Sequence, residues 1–208
     1  MRKFVRFLQM LIMSIAFWAS AISPAQAQLR NLLNLAGSEF NGSNIRGTHF
    51  GRGLQAVDES GNDFRFEGLR DKISLIYFGF TSCPDVCPTT LVQIKQLNTL
   101  LTAEEAEQVQ FYFITVDPER DTPERLKEYL SYFDPTFKGL VGSVSQLEQM
   151  TNSFNVFYSK VPTAVGQYTI EHSAYVFVLD KAGESVLLFR EGMTPEEMAR
   201  DLKKLLAY

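Results

Sequence analysis

The chain has 208 residues, 45% of them hydrophobic and 21% charged, and 24 acidic residues outnumber 20 basic ones for a net charge of −4. Such a composition is typical of a globular chain of one domain, and it argues against global disorder and against the basic surface that nucleic-acid binding requires. Two cysteines and two histidines exclude a disulfide-dense scaffold, a four-cysteine metal site and a three-histidine metal site.

The N-terminus has the pattern of an export signal. Three basic residues within the first six positions precede an apolar stretch over residues 7–22, and Ala25-Gln26-Ala27 follows. We expect a secretory signal peptide over residues 1–27, cleaved after Ala27. The alternative is an uncleaved membrane anchor, although the stretch is slightly shorter than the about 20 residues of a bilayer span. Either interpretation predicts that the rest of the chain lies in the periplasm, as an exported protein or as a protein anchored in the inner membrane.

Cleavage would leave 17 basic and 24 acidic side chains, a net charge of −7. Residues 28–52 are polar and rich in glycine, and we interpret them as a flexible lead-in. The remaining residues, 53–208, form the predicted folded domain. A β-hairpin is predicted over residues 53–72, with its turn at residues 59–62.

Strands and helices then alternate along the chain. The apolar run over residues 73–80 predicts a strand that is buried on both faces. The cysteine motif follows, and then a helix whose inner face carries Leu91, Ile94, Leu97 and Leu101. Residues 109–116 predict a second buried strand.

The second half begins with a helix opened by the capping sequence Asp121-Thr122-Pro123-Glu124. A third helix is predicted over about residues 144–154, and residues 174–179 and 185–189 predict a hairpin. The last helix opens with the capping box Thr194-Pro195-Glu196-Glu197. The order β-hairpin, β, α, β, α, α, β, β, α predicts an α/β, thioredoxin-like fold with an N-terminal β-hairpin extension.

Both cysteines lie where a buried strand gives way to a helix. Free backbone N–H groups at a helix N-terminus stabilise a thiolate, and Pro84 and Pro88 stiffen the loop. In helical geometry the Cα atoms of Cys83 and Cys87 lie about 6 Å apart, which suits either a disulfide or one shared metal ion. A purely structural disulfide is the alternative, but a loop this short adds little stability. The position therefore favours a functional pair.

One histidine is placed to join the cysteines. His172 precedes the strand at residues 174–179, and a thioredoxin-like arrangement brings that entry loop against the cysteine loop. Two thiolates and one imidazole make a three-ligand set, and soft thiolates select Cu(I). Structural zinc would require a fourth ligand, whereas catalytic zinc with two cysteines and one histidine also fits. We interpret His49, in the lead-in, as an exposed residue and not a ligand.

These residues resemble the SCO/SenC family of thioredoxin-like copper chaperones, over about residues 53–206. The landmarks are Phe78-Gly-Phe-Thr-Ser-Cys83-Pro-Asp-Val-Cys87-Pro, Val116-Asp-Pro-Glu-Arg-Asp-Thr-Pro123, Glu171-His172-Ser173 and Val178-Leu-Asp-Lys-Ala-Gly183. The resemblance implies a role in building the binuclear copper centre of cytochrome c oxidase. It also implies that Cys83, Cys87 and His172 are the metal ligands, for copper as Cu(I), Cu(II) or both.

Two functions follow as hypotheses. The first is a metallochaperone that passes copper to the copper-bearing subunit of the oxidase or to another copper-trafficking protein. The second is a thiol–disulfide oxidoreductase, in which Cys83 and Cys87 are the redox pair that reduces the cysteines of that subunit or another exported client. The two are compatible because copper loading requires reduced cysteines. A peroxide-reducing enzyme ranks below both, since it leaves His172 without a role.

Overall fold

A computed structural model describes residues 40–164 and 166–207. Within these residues the strands are β1 (Ser43–Asn44), β2 (Gln55–Asp58), β3 (Asp63–Arg65), β4 (Ile73–Gly79), β5 (Val109–Thr115), β6 (Lys138–Val141), β7 (Tyr158–Pro162), β8 (Tyr168–His172), β9 (Val176–Leu179) and β10 (Ser185–Phe189). The α-helices of the same residues are α1 (Val86–Thr99), α2 (Ala103–Glu107), α3 (Pro123–Ser131), α4 (Val144–Phe154) and α5 (Pro195–Leu206). The predicted signal peptide, 1–27, lies outside the described residues.

Eight strands form one mixed sheet in the order β1-β10-β9-β4-β5-β6-β2-β3. Strand β4 pairs in parallel with β5, and β5 with β6, whereas β9 pairs antiparallel with β4 on its other side. Strand β10 in turn pairs antiparallel with β9. The hairpin β2–β3 extends the sheet beyond β6. The thioredoxin-like fold with an N-terminal hairpin extension is therefore confirmed.

The centre of the sheet is the core of the molecule. All seven residues of β4 are buried, as expected for an apolar strand that is covered on both faces. Helix α1 buries Leu91, Ile94 and Leu97 and packs against α5. This packing fixes the point where β4 ends and α1 begins, which is where both cysteines lie.

Helix ends follow the capping signals in the sequence. The hydroxyl of Thr122 accepts a hydrogen bond from the Arg125 N–H at the start of α3, and Thr194 and Glu197 form a capping box at the start of α5. Side-chain caps of this kind stabilise a helix by about 1 kcal/mol each. In the described part of the chain, no helix combines the length and the apolar character that crossing a membrane requires.

Residues 40–52 depart from the prediction of a flexible lead-in. Phe40 is buried, and Ser43–Asn44 pair with β10 at the edge of the sheet. The ring of Phe50 stacks on Phe154 with the centroids 5.4 Å apart. The lead-in prediction is wrong for this part of residues 28–52, because a few apolar side chains anchor a segment whose composition is mostly polar.

Candidate metal centre

Cys83 lies in the loop that precedes α1, and Cys87 lies in the first turn of this helix. Asp85 is the N-cap residue, and its side chain makes no capping hydrogen bond. The backbone N–H of Cys87, one of the unpaired donors at the helix N-terminus, points at Cys83 Sγ at 3.4 Å. Both thiols are free of any disulfide. The helix therefore supplies positive partial charge to the Cys83 sulfur, as the sequence predicted.

The two thiols differ in exposure. Cys83 is partly exposed, whereas Cys87 is completely buried. Cys87 lies against Gly79 at the end of β4, and the hydroxyl of Tyr77 lies 3.7 Å from its sulfur. The site thus presents one sulfur at the surface and holds the other inside the fold.

Their pKa values move in opposite directions. A hydrogen bond from the Cys87 thiol is the largest cause that lowers the pKa of Cys83 to about 4, and His172 and the backbone N–H groups of Asp85 and Cys87 add to it against the effect of burial. The same hydrogen bond and burial raise the pKa of Cys87 far above the ordinary thiol value. At neutral pH the reduced pair therefore carries one thiolate, on Cys83, and one proton, on Cys87.

His172 is the last residue of β8, and its Nε2 lies 3.4 Å from Cys87 Sγ. Its Nδ1 lies 3.1 Å from the carbonyl oxygen of Ser173. A proton on Nδ1 would be donated to this carbonyl oxygen and would leave the lone pair of Nε2 free for a metal ion, whereas a proton on Nε2 would be donated to the sulfurs. The rings of Tyr77 and Phe80 meet the imidazole edge to face.

The structure brings the three predicted ligand residues together. The donor atoms of Cys83, Cys87 and His172 all lie within 4.8 Å of one another, and they are the one group of three or more metal-binding side chains found among residues 40–164 and 166–207. Two sulfurs and one imidazole nitrogen suit copper, whereas structural zinc would require a fourth donor. The chemistry of the donor set therefore fits a copper ion.

The side chains of His49 and Asp85 do not belong to this cluster. His49 is exposed, and its Nδ1 lies 3.5 Å from a carboxylate oxygen of Glu184, which also pairs with Arg52. Asp85 is exposed and contributes its backbone N–H to the surroundings of Cys83. We therefore assign neither side chain to the donor set.

Several residues that support the site were not predicted from the sequence. Tyr77 was placed in a buried strand without a role, Asp117 and Asp121 were noted only as parts of longer motifs, and Tyr168 was not singled out. Two acidic residues directly after a buried strand are a signal that could have identified Asp117 and Asp121. Both carboxylates are fully buried; Asp121 is hydrogen-bonded to the loop after β4, and Asp117 to the first residue of β8.

Comparison with known proteins agrees with this geometry. The family model SCO1/SenC matches residues 43–207. The SCO2-like protein of Rickettsia conorii is 38% identical over 155 residues, which are 74% of this chain and 75% of that protein.

Two solved structures extend the comparison to the fold. The copper-bound structure of Bradyrhizobium japonicum ScoI is 41% identical, with a TM-score of 0.70, and the match covers 76% of this chain and 99% of that one. Copper-bound yeast Sco1 is 32% identical with the same TM-score, and the match covers 76% of this chain and 88% of that one. Sequence and structure together show that the chain belongs to the SCO1/SenC family.

Proposed function

We propose that this protein is an extracytoplasmic copper metallochaperone, in which Cys83, Cys87 and His172 hold one copper ion as cargo for cytochrome c oxidase assembly. The observation that carries the proposal is the cluster of three soft donor atoms within 4.8 Å. Relatives that are 41% and 32% identical have been solved with copper bound. Soft thiolate donors favour Cu(I), and imidazole also suits copper.

The site is built for release as well as for binding. Cys83 is partly exposed and already a thiolate at neutral pH, so it meets incoming copper without first losing a proton. Cys87 must release its proton to solvent when it binds copper, because Nε2 of His172, 3.4 Å away, is itself one of the proposed copper ligands. Three donors leave coordination space for a ligand of the recipient, so the ion can pass by ligand exchange.

Thiol–disulfide exchange is the second candidate function, and the opposed pKa values of the two cysteines favour it. The Cys83 thiolate attacks a client disulfide, and one client sulfur leaves as a thiolate. Cys87 then loses its proton, attacks Cys83 and releases the second client sulfur. The client gains two reduced thiols, and this protein ends with a Cys83–Cys87 disulfide.

The partner and the location belong to the same proposal. Recipients of the copper or the electrons are the copper-bearing subunit of the oxidase or another copper-trafficking protein. Residues 1–27 direct export to the periplasm as a cleaved signal, or anchor the chain in the inner membrane through the same segment. A basic, apolar N-terminal pattern supports this proposal.

A copper titration of the reduced protein against a competing Cu(I) chelator tests the site. We expect one copper ion per chain, and we expect His172→Ala to weaken copper binding by more than about tenfold, because it removes one of three donors. Exchange of the Cys83–Cys87 pair with glutathione should change little. The control is His49→Ala, which removes the exposed histidine.

Two results would contradict the proposal: a wild-type protein that takes up no stoichiometric copper, or a His172→Ala variant that retains wild-type affinity. Equal losses of copper affinity in His49→Ala and His172→Ala would also contradict the assigned ligand set. The mass of the purified protein shows whether its N-terminus is intact or cleaved, and this decides between the membrane anchor and the signal peptide.

A further inference from the structure

The loop over residues 116–122, which we call the brace loop, connects β5 to α3 and carries two acids that the metal site does not use. Asp117 and Asp121 are both fully buried. A buried carboxylate is costly unless charged or hydrogen-bonding partners surround it. The partners of these two acids lie on the two segments that carry the metal ligands.

Asp117 holds the strand that ends at His172. Its Oδ1 accepts a hydrogen bond from the Tyr168 hydroxyl at 2.8 Å, and its Oδ2 pairs with Nε of Arg120. Arg120 in turn donates from Nη1 to the carbonyl oxygen of Tyr168 at 3.0 Å, and its guanidinium lies 3.9 Å from the centre of the Tyr168 ring. Tyr168, the first residue of β8, is therefore held through its hydroxyl, its ring and its backbone.

Strands β7 and β8 form a separate two-stranded sheet outside the main one. A hairpin of two strands has little stability of its own, so its position depends on what it packs against. Tyr168, Ile170 and His172 alternate along β8 and share one face. Because Tyr168 is held in place, the face of β8 on which His172 lies is fixed as well. The ring of Phe80 adds a second connection, since it contacts both Arg120 and His172.

Asp121 holds the other segment, the loop that leads to Cys83. Its two carboxylate oxygens accept hydrogen bonds from the Thr81 N–H at 2.9 Å and the Thr81 hydroxyl at 2.5 Å. Arg125 donates to the Thr81 hydroxyl at 2.8 Å and to Ser82 Oγ at 3.2 Å. Thr81 precedes Cys83 by two residues, so these contacts fix the start of the cysteine loop.

One turn of chain joins the two acids. The N–H of Asp121 donates to the carbonyl oxygen of Asp117 at 2.9 Å. The hydroxyl of Thr115 accepts from the Asp117 N–H at 3.0 Å and donates to Asp121 Oδ2 at 2.7 Å. The two carboxylates therefore cannot move independently of each other.

We propose that the brace loop sets the distance between His172 and the two cysteines, with Asp117, Arg120 and Tyr168 positioning the histidine and Asp121 and Thr81 positioning the cysteine loop. The brace holds the donor atoms close together before copper arrives, which lowers the ordering cost of binding. This inference rests on the proposed copper site, but its test also has a readout that requires no copper.

The first variant is Tyr168→Phe, which keeps the ring and removes the hydroxyl bond to Asp117. We expect the copper dissociation constant to rise about tenfold, as for other residues that orient a metal ligand. The glutathione equilibrium of Cys83–Cys87 should stay within about twofold of wild type. The matched control is Tyr132→Phe, which removes an exposed hydroxyl that also donates to a carboxylate, on Glu128.

The second variant is Thr81→Val, which keeps the shape and removes the hydroxyl between Asp121 and Arg125. We expect it to change both readouts, because both copper binding and disulfide exchange use Cys83. Thr99→Val, which removes an exposed hydroxyl at the end of α1, is its control.

Hydrogen exchange of the copper-free protein separates the brace from the copper site. In Tyr168→Phe we expect the β8 amides to exchange about tenfold faster while those of β4 stay unchanged. If wild-type protein binds no copper, the proposed function fails, and the exchange result still decides on the brace. The inference is overturned if Tyr168→Phe matches Tyr132→Phe in β8 exchange, or if it shifts the glutathione equilibrium as strongly as the copper affinity.

Discussion

The smallest scale at which the site is organised is the pair of sulfurs. Cys83 and Cys87 are only four positions apart in the sequence, yet Cys83 is a partly exposed thiolate and Cys87 a buried thiol. The difference arises mainly because the buried Cys87 thiol donates a hydrogen bond to the Cys83 sulfur, and the helix N–H groups that face Cys83 add to this effect. Cys87 points into the core toward Tyr77 and Gly79. Reduced protein therefore carries a single negative charge at this pair near neutral pH, which is less costly than two thiolates side by side.

Alkylation of the reduced, copper-free protein checks this charge distribution. Because the pKa of Cys83 is lowered to about 4, the thiolate persists above that pH and is lost as the pH falls through it. We expect the rate with iodoacetamide to be nearly flat from about pH 5 to 8 and to fall below about pH 4, with Cys83 the modified residue. An ordinary thiol would instead show a tenfold rise per pH unit over the flat range, and such a rise would contradict the assignment.

The side chain of Cys87 packs against Gly79. A Cβ at this position would lie 2.9 Å from Cys87 Sγ, 2.7 Å from Phe113 and 2.9 Å from Tyr77. We expect Gly79→Ala to destabilise the fold by about 1–3 kcal/mol and to weaken copper binding, since the sulfur must move. Chemical denaturation and copper titration measure the two effects. Gly68→Ala, at a position with nothing within 4 Å, should change neither.

At the scale of elements, the strength of the local signal decides what the sequence predicts. The continuous apolar run of β4 and the apolar spacing of α4 give elements close to those observed. Strand β6 was missed because it has four residues and contains Gly139, whose lack of a side chain admits Leu126. Its identity depends on tertiary packing that no local pattern records.

The β7–β8 hairpin was missed for a different reason. Its residues are mostly half-exposed, and Pro162 interrupts the strand pattern. The alternation of Tyr168, Ile170 and His172 was a usable signal. The sequence did predict that Cys83, Cys87 and His172 meet, because the fold places the two loops together. It did not predict what holds these three residues in place, since the contacts of Asp117 with β8 and of Asp121 with the loop after β4 follow from tertiary structure.

At the scale of the whole molecule, the first described residues are tied to the last helix. The fully buried Asp201 of α5 accepts hydrogen bonds from the backbone N–H groups of Asn41 and Gly42 at 3.0 and 2.7 Å, and from the Asn41 side chain at 2.8 Å. These contacts span about 160 positions of the sequence. They explain why residues 40–44 follow the edge of the sheet instead of forming part of a flexible lead-in.

Replacing this acid tests the connection. In Asp201→Asn one oxygen acceptor becomes an N–H₂ donor that faces backbone donors, so we expect a loss of about 1–3 kcal/mol in the free energy of unfolding. Urea denaturation measures it. Glu196→Gln, at an exposed position of the same helix, should change stability by less than about 0.5 kcal/mol. A loss of equal size in both variants would mean that the charge of α5, and not the contact with residues 41 and 42, stabilises the fold.

The single turn that joins Asp117 to Asp121 has a consequence for how this region can vary. Each residue added to or removed from a helical turn rotates the following side chain by about 100°. An insertion between the two acids would turn one carboxylate away from its loop even if every original side chain were kept. Exchanging the exposed Glu119 for another polar residue would leave both carboxylates where they are. The ligand geometry thus depends on the number of residues between Asp117 and Asp121, so this stretch tolerates changes of composition but not of length.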